Sequence, residues 1–409
     1  MELSPKQLDL FTWWIDPDAE EVEQKHGLDG IIAEGAIRAG KTYPMGISFI
    51  VWAMANYEKR NFIMAGKTIN SFRRNVMSEL KPALLERGYE FKENREQNLV
   101  TITYAGTVNY FYLFGGRDEK SQDLVQGLTA AGAFLDETTL QPESFVNQVL
   151  ARCSVDGSKL WFNCNPGHPD HWFKKRFLDK DELQLVKLHF DMDDNPSLSE
   201  SIKERYRKMY TGVFYKRYIL GLWVKAEGLV YDMFNREQHV IPDREPSSDY
   251  LWMPIDYGTS NAFAALLIED DGDVVTVLKE YYYSGRDQEV QKTDGEYYDD
   301  LQKFLTLPVE YIVDPSAASF ITLLRRNGEV VHKAKNNVLD GIRRVASMLA
   351  NGKLKICEGC TSLIEEFGLY SWDPVCVKED RPIKEKDHAL DALRYYVYTC
   401  VGGYRIGDV

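Results

Sequence analysis

The sequence predicts an α/β protein of two domains, and three observations carry that prediction. Residues 35–42 read Gly-Ala-Ile-Arg-Ala-Gly-Lys-Thr, a complete G-x-x-x-x-G-K-T loop lying between a short apolar run and a helix-forming segment. Apolar runs at 31–33, 62–65, 131–135 and 160–164 alternate with helical stretches, the pattern of a mostly parallel sheet. A polar segment at 237–250, with two prolines, two serines and no apolar periodicity, separates this part from a second series that opens as an antiparallel meander. The domains are therefore expected at 1–236 and 251–409, with 237–250 as linker.

Composition bounds the rest. The chain has 409 residues and 44% hydrophobic content, enough for two cores. No run approaches the ~20 apolar residues of a membrane span, so no membrane partner is expected. Glu2, Lys6 and Asp9 in the first ten residues do not read as a secretory signal. Six cysteines without dense spacing fit a reducing cytoplasm, and Cys357 and Cys360, a lone C-x-x-C, read as buried thiols rather than a zinc site. A net charge of −14 excludes a broadly basic nucleic-acid coat but not a local basic groove.

Taken in order, Gln7 follows Ser4-Pro-Lys near the start, where its amide could read an adenine edge. In the loop, Gly35 and Gly40 let the backbone wrap a phosphate without a Cβ clash, and the amides at the helix start face the anion. Lys41 would reach the β- and γ-phosphates, and the Thr42 hydroxyl would bind Mg²⁺. Arg38, between the two glycines, could stabilise transferring charge in cis or reach a neighbouring subunit's nucleotide. The chain is thus expected to bind a nucleoside triphosphate. Residues 99–114 read as an antiparallel hairpin turning at Ala105-Gly106.

The run at 131–135 ends in Asp136-Glu137. Acids at the C-terminal end of a central strand fall in the crevice where open α/β sheets bind ligands. Asp136 would hold Mg²⁺ and Glu137 would polarise the attacking water. Asn163 and Asn165 close the next strand and could sense the γ-phosphate. Residues 170–225, rich in Lys and Arg, read as helical.

In the second domain, 252–256, 262–268 and 274–282, with a turn at Asp271-Gly272, form the meander. Asp256 ends the first of these strands, and Asp314 ends the strand at 311–313. Asp387 and Asp391 are i,i+4 on one helix face, with His388 beside them. Two strand-end aspartates and a helix aspartate can hold two hard cations, Mg²⁺ or Mn²⁺, that clamp the attacking and leaving oxygens of a phosphodiester.

In order and spacing, these pieces resemble the large terminase subunit of tailed bacteriophages, the motor that packages and cuts viral DNA. The matching segments are Gln7, GAIRAGKT at 35–42, FLDE at 134–137, NCNP at 163–166, GLWVKAEGLVYDMF at 221–234, PIDYG at 254–258, IVDP at 312–315 and DHALDALRYY at 387–396. The resemblance implies an ASCE-type P-loop ATPase joined to a ribonuclease H-like nuclease. It implies nucleotide roles for Arg38, Lys41, Thr42, Asp136 and Glu137, and metal-binding roles for Asp256, Asp314 and Asp391, with His388 as the helix histidine. The family's coupling motif falls on Asn163-Cys164-Asn165, whose first position departs from the usual Ser or Thr. The implied cofactors are ATP with Mg²⁺ and two Mg²⁺ or Mn²⁺ ions. The implied partners are double-stranded DNA, a portal protein, a small terminase subunit and further copies in a ring during packaging, the free subunit being monomeric, in the host cytoplasm. Two other readings are an ATPase–nuclease of DNA repair or recombination, which predicts no portal dependence, and a nucleotide-binding assembly protein with structural acids, which metal-dependent cleavage of plasmid would exclude.

Overall fold

The structure, a computed structural model, describes residues 3–16, 27–180, 182–248, 250–258, 262–285, 288, 290–374 and 380–401. Glu2, which entered the reading of the N-terminus, lies outside the described residues. These residues form two compact units. One comprises the chain up to Arg207 together with Tyr215–Lys225; the other comprises Lys208–Phe214 and the chain from Ala226 onward.

The first unit is built on an eight-stranded sheet. Its strands are β1 (Gly30–Gly35), β2 (Asn61–Gly66), β3 (Glu90–Asn94), β4 (Leu99–Tyr104), β5 (Thr107–Gly115), β6 (Gly132–Leu135), β7 (Lys159–Cys164) and β8 (Leu185–Phe190). Their spatial order is β3-β4-β5-β2-β6-β7-β1-β8, and every pairing from β5 to β8 is parallel. The central strands β6 and β7 are buried along their whole length, as apolar runs covered on both faces must be. Helix Thr42–Asn56 packs Phe49 and Trp52 against Phe62 and Trp161, with Phe49 5.1 Å from the Trp161 ring at an edge-on angle. Each such side chain removed from water contributes roughly 1.5–3 kcal/mol. The β4–β5 hairpin turns at Ala105 and Gly106, both at positive φ (48° and 89°), as a two-residue turn matching strand twist requires.

Two features depart from the sequence reading. Residues 170–225 are not helical throughout: β8 runs through them and pairs with β1 in parallel, while helices Glu200–Met209 and Gly212–Tyr218 account for only part of the rest. An edge strand carries polar residues on its open side, so LVKLHF lacks the apolar run that marks a central strand. Strand β3, polar and mostly exposed, escaped for the same reason.

The second unit has a seven-stranded sheet of β9 (Val240–Ile241), β10 (Leu251–Asp256), β11 (Ala262–Asp270), β12 (Val275–Ser284), β13 (Glu310–Val313), β14 (Val331–Lys333) and β15 (Leu354–Cys357), in the order β14-β13-β10-β11-β12-β15-β9. The meander β10–β11–β12 is antiparallel, while β13 and β14 add in parallel beside β10. Helix His388–Thr399 packs across β10 and β11, burying Leu390, Leu393, Tyr396 and Val397. The segment 237–250 contains more than a tether: β9 lies inside it, paired with β15, and follows the short helix Arg236–His239.

Candidate active sites

In the first unit, β6, β7 and β1 are consecutive in space, so their C-terminal ends form one edge. The phosphate loop leaves β1, Asp136 and Glu137 follow β6, and Asn163 and Asn165 close β7. Gly35 and Gly40 have φ of 128° and 74°, and a Cβ at Gly35 would lie 2.0 Å from the Phe190 carbonyl oxygen. The loop is braced from outside. Gln7 Nε2 donates to the Gly40 carbonyl at 3.0 Å, and Asn195 Nδ2 to the Arg38 carbonyl at 2.8 Å. The Ala36 and Ile37 amides donate to Phe190 and Tyr218 carbonyls.

Inside the loop, Lys41 Nζ donates to the carbonyls of Ala36 (2.5 Å) and Gly35 (3.2 Å) and to Asn165 Oδ1 (3.0 Å). Burial pushes its ammonium down to about 8. Burial, reinforced by the neighbouring Glu137 charge, pushes the Asp136 carboxyl up to about 7. Glu137 is also raised by burial and sits in the left-handed region at φ 53°. Asn163 Nδ2 donates to Thr42 Oγ1 at 2.8 Å and to Asp136, joining the two groups expected at Mg²⁺, while its Oδ1 is buried with no hydrogen-bond partner among the described residues. A buried ammonium, a hydroxyl, a raised carboxyl and a buried amide oxygen fit a magnesium-bound triphosphate, whose anion and cation would offset the burial of the lysine and the carboxylate.

Two expected residues have other occupations. Arg38, at φ 57°, holds its guanidinium 5.8 Å from the Tyr206 ring centre. Gln7 caps its own helix, its Oε1 accepting from the Ser4 amide at 3.1 Å, and spends its amide on the loop.

In the second unit, the register of β10 and β13 decides the geometry. Ile255 pairs with Val313, so Asp256 and Asp314 leave adjacent parallel strands side by side. Helix His388–Thr399 brings its side chains over them. His388 Nδ1 meets Asp256 Oδ2 at 2.8 Å, and the Tyr395 hydroxyl donates to Asp256 Oδ1 at 3.3 Å and also reaches Asp314. Arg394 holds Asp391 Oδ1 through Nε (3.0 Å) and Nη2 (2.9 Å). Asp256, Asp387, His388, Asp391 and Tyr395 line an open cavity of about 670 Å³.

Burial, opposed by Arg394 and reinforced by the charges of Asp256 and Asp387, lifts the Asp391 carboxyl to about 6. His388 is raised: burial works against the imidazolium, but Asp256, Asp387 and Glu366 outweigh it. Asp314 moves the other way, its burial outweighed by hydrogen bonds from Ser316, Asn336 and Tyr395. No three His, Cys, Asp or Glu side chains among the described residues converge closely enough to hold a metal ion. The carboxylates are instead tied to His388, Arg394 and Ser316. Mutually repelling acids on one cavity, partly neutralised by nearby cationic side chains, are the donor set a divalent cation fits.

Sequence reading had no means of finding Arg394, Tyr395 and Asn195 as partners. Arg394 and Tyr395 lie inside the DHALDALRYY segment, but their roles depend on which strand the helix crosses. Cys357 and Cys360 are both fully buried, and among the described residues no further His, Cys, Asp or Glu side chains gather with them to hold a metal.

Comparison with known proteins agrees with this architecture. A family model described as "Terminase large subunit, T4likevirus-type, N-terminal" matches residues 32–238, and one described as "Terminase RNaseH-like domain" matches 255–398. The chain is 28% identical over 283 residues to the large subunit of terminase from Escherichia phage T5; the match covers 64% of this chain and 63% of that protein, just under two thirds of its length. The large terminase of a thermophilic bacteriophage is 52% identical, with 98% of this chain and 100% of that chain covered and a TM-score of 0.91. The complex of that same terminase with ATP-gamma-S matches at 51% identity over the same shares with a TM-score of 0.88.

Proposed function

This chain belongs to the terminase large-subunit family, and we propose that it is the ATP-driven subunit of a viral DNA-packaging motor that also cuts concatemeric DNA. Large terminase subunits are ATPase and nuclease enzymes. The observation that carries the reading is the extent of the likeness: 52% identity over 98% of the chain includes both candidate sites.

In this reading 1–236 is the ATPase domain, 251–409 the nuclease, and 237–250 joins them. The loop amides, Lys41 and Thr42 bind ATP with Mg²⁺, as the related terminase of the thermophilic phage binds an ATP analogue. Asp136 would hold Mg²⁺, and Glu137 would accept a proton from the attacking water. Arg38, on leaving Tyr206, neutralises charge on the transferring phosphoryl group. Asn165, hydrogen-bonded to Lys41, reports the γ-phosphate to β7, and Gln7 reads adenine on releasing Gly40. Bound nucleotide supplies the phosphoanhydride bond whose hydrolysis drives translocation.

At the second site Asp256, Asp314 and Asp391 would hold two Mg²⁺ or Mn²⁺ ions, and His388 would orient water or phosphate. Such an ion pair supplies the activation of water and the stabilisation of the leaving oxygen. The substrate is double-stranded DNA; the partners are a portal protein, a small terminase subunit and further copies in a ring, with a monomeric free state, in the host cytoplasm. No helix of the described residues is long and apolar enough to cross a membrane.

The test is a packaging assay with portal-bearing procapsids, ATP and linear DNA. Nuclease-protected DNA should accumulate only with ATP, this chain and portal together. An actively ATP-hydrolysing preparation that protects no DNA, or acts equally without portal, would contradict the motor reading.

A further inference from the structure

Helix His388–Thr399 starts at Asp387, the position whose side chain ordinarily accepts from the first-turn amides. Ser4, Asn235, Thr293 and Asn337 do this at their own helices. Asp387 makes no such bond. The duty falls on a different helix: Glu366, on Thr361–Leu369 and only 3% exposed, accepts from the Leu390 amide at 2.9 Å. The Asp387 side chain, in a residue 7% exposed, instead lines the cavity with Asp256, His388 and Asp391. It also lacks the kind of partner that Asp391 has in Arg394: among the described residues it forms no ion pair, and burial pushes its carboxyl up, the Asp256 charge adding to this and His388 and Lys384 opposing it. The backbone keeps it on the face of Asp391, whose amide donates to the Asp387 carbonyl at 2.7 Å. A carboxylate so buried is normally capped, paired or bound to a cation; the first is done by Glu366 and the second is missing.

We propose that Asp387 is a further carboxylate of the nuclease site and a direct ligand of its divalent cation, freed for that role because Glu366 caps the helix in its place. This rests on the nuclease reading of the cavity. Oxygen donors of this kind select Mg²⁺ or Mn²⁺.

The test uses the full chain and Mn²⁺. Binding is measured by electron paramagnetic resonance of free Mn²⁺ alongside nicking of supercoiled plasmid, for the wild type and Asp387→Asn. Asparagine caps a helix as well as aspartate does, so a purely structural Asp387 predicts no change in either readout. We expect Asp387→Asn to lose one bound Mn²⁺ or to bind at least about tenfold more weakly, with nicking reduced and ATP hydrolysis unchanged. If Asp387→Asn does not fold, Asp387→Ser, also a good cap, should give the same losses. Wild-type binding and nicking retained in either variant overturns the inference alone. A wild type that neither binds Mn²⁺ nor nicks DNA overturns the nuclease reading, and this inference with it.

Discussion

Burial pushes Lys41 down and Asp136 up, so a bound metal–nucleotide, which needs the ammonium and the carboxylate, would shift both protonation equilibria back. Burial favours a neutral Asp136 below about pH 7 and a neutral Lys41 above about pH 8. A magnesium-bound triphosphate needs the carboxylate and the ammonium. Binding at about pH 6 should therefore release a proton from Asp136, and binding at about pH 9 should take one up at Lys41. Calorimetric titration with MgATP in buffers of different ionisation enthalpy reads both; no release at about pH 6 would mean that Asp136 does not face the ligand, and no uptake at about pH 9 that Lys41 does not. At this scale the sequence was most informative. Lys41, Thr42, Asp136 and Glu137 were legible from local spacing, which a strand–loop–helix or strand–acid motif displays directly. Asn163, Asn195, Arg394 and Tyr395 act through partners between 3 and 157 positions away. Asn195 and Tyr395 owe their partners to sheet order and helix placement, and even the local Asp391–Arg394 pair acquires its role only where the helix crosses β10.

At the scale of elements, the acidic cavity of the second unit depends on how closely two helices approach. Gly341, on helix Val338–Ala350, faces Arg394 so tightly that a Cβ would lie 2.3 Å from Arg394 Cγ. Gly341→Ala should push Arg394 off Asp391 without altering any residue of the cavity. The expected cost is about 1–3 kcal/mol of stability, read by denaturant unfolding, together with a clear loss of plasmid nicking and normal ATP hydrolysis. Unchanged nicking would show that the Arg394–Asp391 pairing is dispensable. Elements were legible where their pattern was strong: the apolar central strands, and the Ala105-Gly106 hairpin, whose two positive φ values only a few residue types accept readily. Strand β8 was not, because an edge position relaxes the apolar requirement that makes a strand readable. Strand β9 was hidden by its two-residue length.

At the scale of the whole molecule, the chain joins two kinds of sheet. One is mostly parallel, with the G-x-x-x-x-G-K-T loop on one edge; the other is a meander extended by parallel strands, with aspartates at the ends of β10 and β13. The family reading takes these as two separable chemistries, ATP hydrolysis and DNA cleavage. The break in periodicity at 237–250 lies inside the second compact unit, whereas the two units divide around residues 207–226. The crossing of short segments between units there was not legible, because those segments carry ordinary helical patterns. The most direct test of the account measures both activities on the same preparations of the wild type, Lys41→Ala and Asp256→Asn: release of phosphate from ATP, and Mn²⁺-dependent nicking of supercoiled plasmid with EDTA as control. Lys41→Ala should nick plasmid but not hydrolyse ATP, and Asp256→Asn should hydrolyse ATP but not nick. Loss of both activities in either well-folded variant, or nicking that persists in EDTA or in Asp256→Asn, would contradict it.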